Sequence, residues 1–175
     1  NIDTNSRLCM ASSVAGHKRA FGTDTVPGIY ADLEQAELIV LVGSNLAWCH
    51  PVLYQRIAAA KEARPGMHVV NIDPRRTATT DLADMHLKVA PDGDIALLTG
   101  LLAHLAETNT LDAAFTKNHV NGTSAAIDTA RASDPSQSGL THQELANFFA
   151  LWARTKRVIT IYSQGVNQAS CGTDK

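Results

Sequence analysis

The sequence predicts an α/β fold: a Rossmann-like, mostly parallel sheet with helices on both faces. Three observations carry this. Val40-Leu41-Val42-Gly43 is an apolar, β-branched run that stops at a glycine and opens onto an amphipathic helical stretch. About 25 residues on, His68-Val69-Val70-Asn71-Ile72 repeats the pattern and ends in Asp73-Pro74-Arg75-Arg76; with a helix between, the two strands make a βαβ unit. Each strand is a continuous apolar run rather than an alternating one, as in parallel sheets covered on both faces.

In chain order, Thr4, Asn5 and Ser6 offer N-caps for a helix over 8–21, rich in Ala and Ser, with Cys9 in its first turn. A loop over 22–28 carries Pro27, and a short helix over 30–36 has Asp32 and Glu34 near its start. The first strand is 37–42. Gly43-Ser44-Asn45 follows, then a helix over 50–63, with Pro51 in its first turn and Arg64-Pro65-Gly66 at its end. The second strand is 67–72. Residues 77–84 are polar and read as irregular, and 85–89 is a short third strand. Pro91-Asp92-Gly93-Asp94 is a turn in which Asp94 caps a strongly apolar helix over 95–107. A helix over 111–118 and a weaker stretch over 122–138, broken by Pro135, come next. Thr141-His142-Gln143-Glu144 is a capping box for a helix to about Arg154. The last strand, 158–162, ends in Ser163-Gln164-Gly165. The organisation expected is a core βαβ unit over 30–107, a helical segment over 108–155, and a return strand with its loop over 156–175.

The chain has 175 residues, 45% hydrophobic and 18% charged, enough for one sizeable core or a core with a smaller lobe. A net charge of −2 and a pI near 6.4 provide no basic field for nucleic acid or anionic lipid. No apolar run approaches the ~20 residues that span a bilayer. The expected partners are therefore neither nucleic acid nor membrane. Cys9, Cys49 and Cys171 are odd in number, widely spaced and free of any CxxC, which argues against a disulfide framework and a zinc finger and for a reducing compartment. The start at Asn1 without Met, and the end at Lys175 just after a turn-like Gly-Thr-Asp, read as a piece cut from a longer protein.

Ligands of such folds sit beyond the C-terminal ends of the strands. Gly43, Ser44 and Asn45 offer backbone N–H groups and short polar side chains there, suited to a phosphate; an ordinary strand-to-helix turn looks the same. GxGxxG and GxxxxGK[ST] are both absent, so simple nicotinamide-cofactor and P-loop readings lose their main support. Asp73 ends the second strand, where an acid accepts hydrogen bonds from ribose hydroxyls. Arg75 and Arg76 suit a phosphate or a stacked base, or are a solvated pair. Asp92 or Asp94 suits the adjacent N–H donors of guanine, and Asp94 equally suits a helix cap. Gln164, Asn167 and Gln168 are amides that donate and accept, fit for a heteroaromatic such as a pterin or for a plain polar loop. Cys9 near a helix start gains thiolate character from the dipole and Arg7, yet physics alone favours a small packing residue.

Taken together, these stretches resemble the molybdopterin-dependent oxidoreductases of the dimethyl-sulfoxide-reductase superfamily, and within it the bacterial assimilatory nitrate reductases. The resemblance rests on Thr4-Asn5-Ser6-Arg7-Leu8-Cys9-Met10-Ala11-Ser12-Ser13, on Ala36-Glu37-Leu38-Ile39-Val40-Leu41-Val42-Gly43-Ser44-Asn45-Leu46-Ala47, and on Asn71-Ile72-Asp73-Pro74-Arg75-Arg76-Thr77. Pro91-Asp92-Gly93-Asp94-Ile95-Ala96-Leu97 and Gln164-Gly165-Val166-Asn167-Gln168 complete it, in the family's order and over nearly the whole chain. It implies that the Cys9 thiolate ligates molybdenum held by bis(molybdopterin guanine dinucleotide), a soft ligand beside dithiolene sulfurs. It implies that Asn5 contacts the cofactor, that 43–49 and 71–75 bind its guanine dinucleotide tails, and that Gln164 and Gln168 lie beside the pterin. Asp94 matches the acid of the family's Pro-Gly-Thr-Asp turn, where this chain has Asp92-Gly93-Asp94. Met10, the residue after the ligand, matches the nitrate-reducing type and would line the pocket beside the metal; related formate dehydrogenases carry His there.

The implied activity is reduction of nitrate to nitrite by oxygen-atom transfer. The implied partners are nitrate and an electron donor: ferredoxin, flavodoxin or a nicotinamide–flavin reductase. The family's [4Fe-4S] cysteines lie upstream of Asn1, and the second half of its cofactor cradle lies beyond Lys175. The expectation is therefore a cytoplasmic enzyme of which this chain holds part of the site, inactive by itself. Two other readings remain: a formate dehydrogenase-like molybdoenzyme, which Met10 opposes, and a nucleotide-binding module without chemistry of its own, in which Cys9 merely packs.

Overall fold

The computed structural model describes residues 8–175; the expectations for Asn5 and for the caps Thr4 and Ser6 lie outside the described residues. In chain order the elements are α1 (Ala11–Phe21), α2 (Tyr30–Gln35), β1 (Leu38–Val42), α3 (Leu46–Cys49), α4 (Pro51–Ala63), β2 (His68–Ile72) and β3 (Met85–Leu87). They continue with α5 (Asp94–Glu107), α6 (Ala113–His119), α7 (Thr123–Arg131), α8 (His142–Arg154), β4 (Val158–Tyr162) and α9 (Gln164–Asn167). Short 3-10 turns occupy Ala78–Leu82 and Pro135–Ser138. The chain divides into two compact units. One runs to Lys88 and resumes over Arg157–Lys175; the other is Val89–Lys156.

The first unit holds the sheet. Its order is β3-β2-β1-β4 and every pairing is parallel, as the continuous apolar runs predict. The chain builds outward from β1 through β2 to β3, then returns to the other side of β1. The strand order therefore reverses between β1 and β4, the position where such sheets open a crevice at their carboxyl ends. All five residues of β1 are buried. Ile39, Leu41 and Val69 share one sheet face and pack with Leu33, Leu46 and Ile57 from the flanking helices. Arg64, at the end of α4, donates to the carbonyls of Glu34 and Ala36 and so fixes α4 against α2. Asp84, just before β3, accepts from Lys61 and from the Val69 N–H, which ties the edge strand to α4 and β2.

The second unit is helical. In α5, Leu97 and Leu101 are buried, and Gly100 is where Pro135 packs: a Cβ there would lie 2.6 Å from the proline ring. From α8 come Leu145, Phe148, Phe149 and Leu151, with the His104 ring 5.5 Å from that of Phe149. The capping box at Thr141 forms as expected, with Glu144 accepting from the Thr141 N–H at 2.8 Å.

Several expectations are corrected. α1 starts at Ala11 and not at residue 8, so Cys9 lies in the turn before the helix rather than in its first turn. α3 and α9, four residues each, occupy stretches read as loops. Residues 78–82 are not irregular: Thr77 accepts from the Thr79 N–H and opens a 3-10 turn. Asp94 does not cap α5. It is the first helical residue, and the cap is Gly93, where a Cβ would meet the Ser138 carbonyl at 2.8 Å. The weak stretch over 122–138 resolves into α7 and a 3-10 turn capped by Asp134.

Candidate functional site

At the reversal between β1 and β4, two backbones touch. Gly43 has φ 53°, donates its N–H to the Ile72 carbonyl at 2.9 Å and accepts from the Gly165 N–H at 3.0 Å. A Cβ on Gly43 would lie 2.8 Å from the Gly165 Cα, and one on Gly165 would lie 2.6 Å from the Gly43 Cα. Only glycine at both places allows the loops after β1 and β4 to meet. Ser44 is 1% exposed and its Oγ has no hydrogen-bond partner among the described residues. Asn45 is held differently: its Oδ1 accepts from the Thr79 hydroxyl at 3.2 Å, and Thr79 accepts the Ala47 N–H at 3.0 Å. The start of α3 is thus fastened to the turn after β2.

At the end of β2, Asp73 is buried and its Oδ1 accepts the Arg75 N–H at 2.8 Å, an Asx turn that shapes the loop. The Asp73 carbonyl lies 2.9 Å from His86 Nε2; a carbonyl only accepts, so Nε2 carries the proton. Arg76 pairs with Asp81 at 3.0 Å, whereas Arg75 is exposed and makes no ion pair with the described residues.

The third group gathers residues far apart in sequence. The Cys9 thiol is exposed, and the Gln168 and Gln164 Nε2 atoms stand 3.4 and 3.9 Å from its Sγ. Asn167 is buried beside them in sequence, and its Oδ1 has no partner among the described residues. Met10 is 39% exposed. Sequence reasoning missed the residues behind this corner. Ser13 Oγ lies 2.7 Å from the Tyr162 hydroxyl, Tyr162 lies 2.7 Å from His17 Nε2, and His17 Nδ1 lies 2.8 Å from the Thr25 carbonyl. The one available signal was the four-residue spacing of Ser13 and His17, which puts both on one face of α1.

Asp92 and Asp94 belong to the second unit. Asp92 is exposed with φ 62°, and Asp94 is buried in the first turn of α5. Among the described residues no three His, Cys, Asp or Glu side chains gather as a metal cage, so Cys9 offers a metal one thiolate. No helix among them is long and apolar enough to cross a membrane.

A parallel sheet whose strand order reverses at a glycine turn defines the open-sheet class of α/β proteins, whose ligands sit at the carboxyl ends of the strands. Within that class, the chain belongs to the molybdopterin oxidoreductase family, whose pattern matches residues 1–175. It is 49% identical over 179 residues to a nitrate reductase of Klebsiella oxytoca, covering 100% of this chain and 20% of that protein. It is 48% identical over 180 residues to a nitrate reductase of Shewanella frigidimarina, covering 99% and 19%. An assimilatory nitrate reductase of Haloferax mediterranei is 42% identical over 122 residues, 70% of this chain and 17% of that protein. The fold is also similar to that of acetylene hydratase from Pelobacter acetylenicus, with TM-score 0.78 and 18% identity over 97% of this chain and 23% of that one. The chain spans about a fifth of the length of the curated relatives it matches.

The residues present fit a molybdopterin. The thiol is exposed and flanked by two amide groups, two glycines hold the loops in backbone contact, and Ser44 and Asn167 bring buried polar atoms that the described protein does not satisfy.

Proposed function

We propose that this chain is the cofactor-holding part of a molybdenum-dependent nitrate reductase of the assimilatory type. The observation that carries the reading is the Cys9 thiol, exposed and standing beside the amides of Gln164 and Gln168. The names of the relatives support nitrate as substrate. When bound, the molybdenum cofactor supplies the two-electron oxygen-atom transfer that turns nitrate and two protons into nitrite and water.

The chain's own residues hold and orient. Cys9 supplies a soft thiolate to the metal. Gln164 and Gln168 donate N–H groups, to the Cys9 sulfur and to pterin heteroatoms. Gly43, Ser44 and Asn45 present backbone and hydroxyl groups to a guanine dinucleotide tail, and Asp73 and Arg75 receive its ribose and phosphates. Asn5 contributes a further amide, and Asp92 and Asp94 provide carboxylates for a guanine edge. Met10 narrows the approach to the metal. A separate donor (a ferredoxin, flavodoxin or nicotinamide–flavin reductase) would supply the two electrons, a [4Fe-4S] cluster in the parent protein would relay them, and the cytoplasm would be the compartment.

The test compares the intact protein with its Cys9→Ala variant, both from a host that makes the cofactor. Molybdenum content and viologen-driven nitrite production are read from the same samples. The expected result is stoichiometric molybdenum in the wild type and a loss of nitrite formation of ~100-fold or more in the variant. Wild-type protein without molybdenum sinks the proposal. Molybdenum without nitrite production moves the substrate elsewhere, with formate tested next.

A further inference from the structure

We infer that Ser13, Tyr162 and His17 form a positioning chain that fixes Cys9 against the amide donors of Gln164 and Gln168, and so sets the surroundings of the metal-bound sulfur. The inference rests on the reading of Cys9 as the metal ligand, and it concerns residues that ligate nothing themselves.

The first support is what α1 lacks. None of its residues is buried, so a hydrophobic core does little to locate it. Among the described residues it is held by backbone contact at Gly16, where a Cβ would lie 3.4 Å from the Thr173 carbonyl, and by polar contacts. One is the Arg19–Asp174 pair at 2.7 Å, whose side chains are 71% and 62% exposed; such a pair constrains little. Stronger among the described residues are the three bonds that run from Ser13 through Tyr162 and His17 to Thr25, at 2.7, 2.7 and 2.8 Å.

The second support is that these bonds have a single consistent direction. The Thr25 carbonyl only accepts, so His17 Nδ1 carries the ring proton. In the Nδ1–H tautomer Nε2 is the bare nitrogen, so the Tyr162 hydroxyl donates to it. With its proton committed, the Tyr162 oxygen accepts from Ser13. Each member fixes the next, and no rotor is left free.

The third support is where the chain grips. Ser13 is four residues after Cys9, in the first turn of α1. Tyr162 is the last residue of β4, two residues before Gln164. The Ser13–Tyr162 bond therefore spans the same two segments as the contacts of Gln164 and Gln168 with Cys9, whose Nε2–Sγ distances are 3.9 and 3.4 Å. Releasing it frees the segment that carries the thiol from the segment that carries its donors.

The experiment uses the intact protein with Tyr162→Phe, His17→Leu and His17→Gln, the last keeping an amide that accepts from Tyr162. Three quantities are read: the molybdenum(V) EPR spectrum, kcat and KM for nitrate, and the rate at which iodoacetamide alkylates Cys9 in metal-free protein, followed on the Cys9 peptide by mass spectrometry. Tyr162→Phe should keep its molybdenum, shift and broaden the EPR signal, and lose kcat by about 10- to 100-fold with KM within about twofold. Its Cys9 alkylation rate should change by about threefold or more, and His17→Gln should lie nearer the wild type than His17→Leu. Unchanged EPR spectra and alkylation rates in Tyr162→Phe and His17→Leu overturn the inference. So does loss of molybdenum in a variant whose metal-free Cys9 reacts as in the wild type. If the wild type binds molybdenum but makes no nitrite, the nitrate reading fails and the EPR spectra still decide for or against the positioning chain. If it binds none, the alkylation rates decide.

Discussion

β1 and β4 run side by side in parallel, paired residue for residue from Leu38 with Val158 to Val42 with Tyr162. Both are apolar five-residue strands. Yet all of β1 is buried, while no residue of β4 is, and Thr160 is exposed. The cause is position. β1 has a strand on each flank, whereas β4 is an edge of this sheet with one neighbour. The consequence lies at their carboxyl ends. The end of β1 is locked by backbone: Gly43 bonds both Ile72 and Gly165. The end of β4 shares that lock, since Gly165 donates to the Gly43 carbonyl and Ser163 to the Val42 carbonyl at 3.2 Å, and it is held in addition by the Tyr162 side chain, through Ser13 and His17. The chemistry-bearing amides of Gln164 and Gln168 are exposed at the two ends of a short helix whose Val166 and Asn167 are buried, so packing fixes the backbone that carries them while a few hydrogen bonds fix the amides themselves.

The comparison breaks most directly with one truncation in each strand. Leu41→Ala empties a fully buried site in β1 and should cost about 3–5 kcal/mol. Ile161→Ala, at the paired position of β4, removes a partly buried side chain and should cost about 1–2 kcal/mol. Urea unfolding of both variants checks the pair, and equal losses would refute the contrast. Gly43→Ala comes next. A left-handed alanine costs about 1–2 kcal/mol, and its Cβ would press on the Gly165 Cα, so a loss of about 2–4 kcal/mol is expected. Gly22→Ala is the control: φ is 77° there too, but nothing lies within 4 Å, so only the strain remains. A melt in which the two alanines cost the same would show that backbone contact at Gly43 does not hold the two loops together.

The sheet was legible because a central parallel strand writes itself as an unbroken apolar run, and β1 and β2 were located to within a residue. The same rule was silent on burial, since Val158-Ile159-Thr160-Ile161-Tyr162 looks as interior as Leu38-Ile39-Val40-Leu41-Val42. The Thr141 box was legible because capping is local. The four-residue helices α3 and α9 were not, being too short for a 3.6-residue period to register. At Gly93 a tertiary contact overrode the local preference for an aspartate cap. Of the site, the strand-end positions of Gly43 and Asp73 followed from the fold class. Family resemblance implied Cys9 at the metal and Gln164 and Gln168 beside the pterin, but the contact of the two amides with the Cys9 sulfur followed from no pattern in the sequence. The Ser13–Tyr162–His17 chain was invisible because its members meet across 149 and 145 residues, and no local pattern encodes such a contact.

The opposite edge sharpens the comparison with the smallest effect. β3 pairs with β2 over three residues, and Asp84 just before it fastens that edge by accepting from Lys61 and the Val69 N–H, with His68 Nδ1 at 3.9 Å. Burial alone pushes the Asp84 carboxyl up. Lys61, through its hydrogen bond and charge, together with the Val69 N–H and His68, more than offsets this and holds it below the ordinary aspartate value. A carboxyl whose folded pKa is lowered takes up a proton on unfolding. Its contribution is therefore present above the unfolded pKa of about 3.9 and is lost as pH falls through the lower folded value. With 43% of the side chain exposed, solvent screening keeps that contribution under ~1 kcal/mol. Asp84→Asn should then show a smaller fall in urea midpoint below about pH 4 than the wild type, and the difference should shrink in high salt. An identical acid limb in the two proteins would mean that the β3 edge, unlike the β4 edge, is not held by its side-chain bonds.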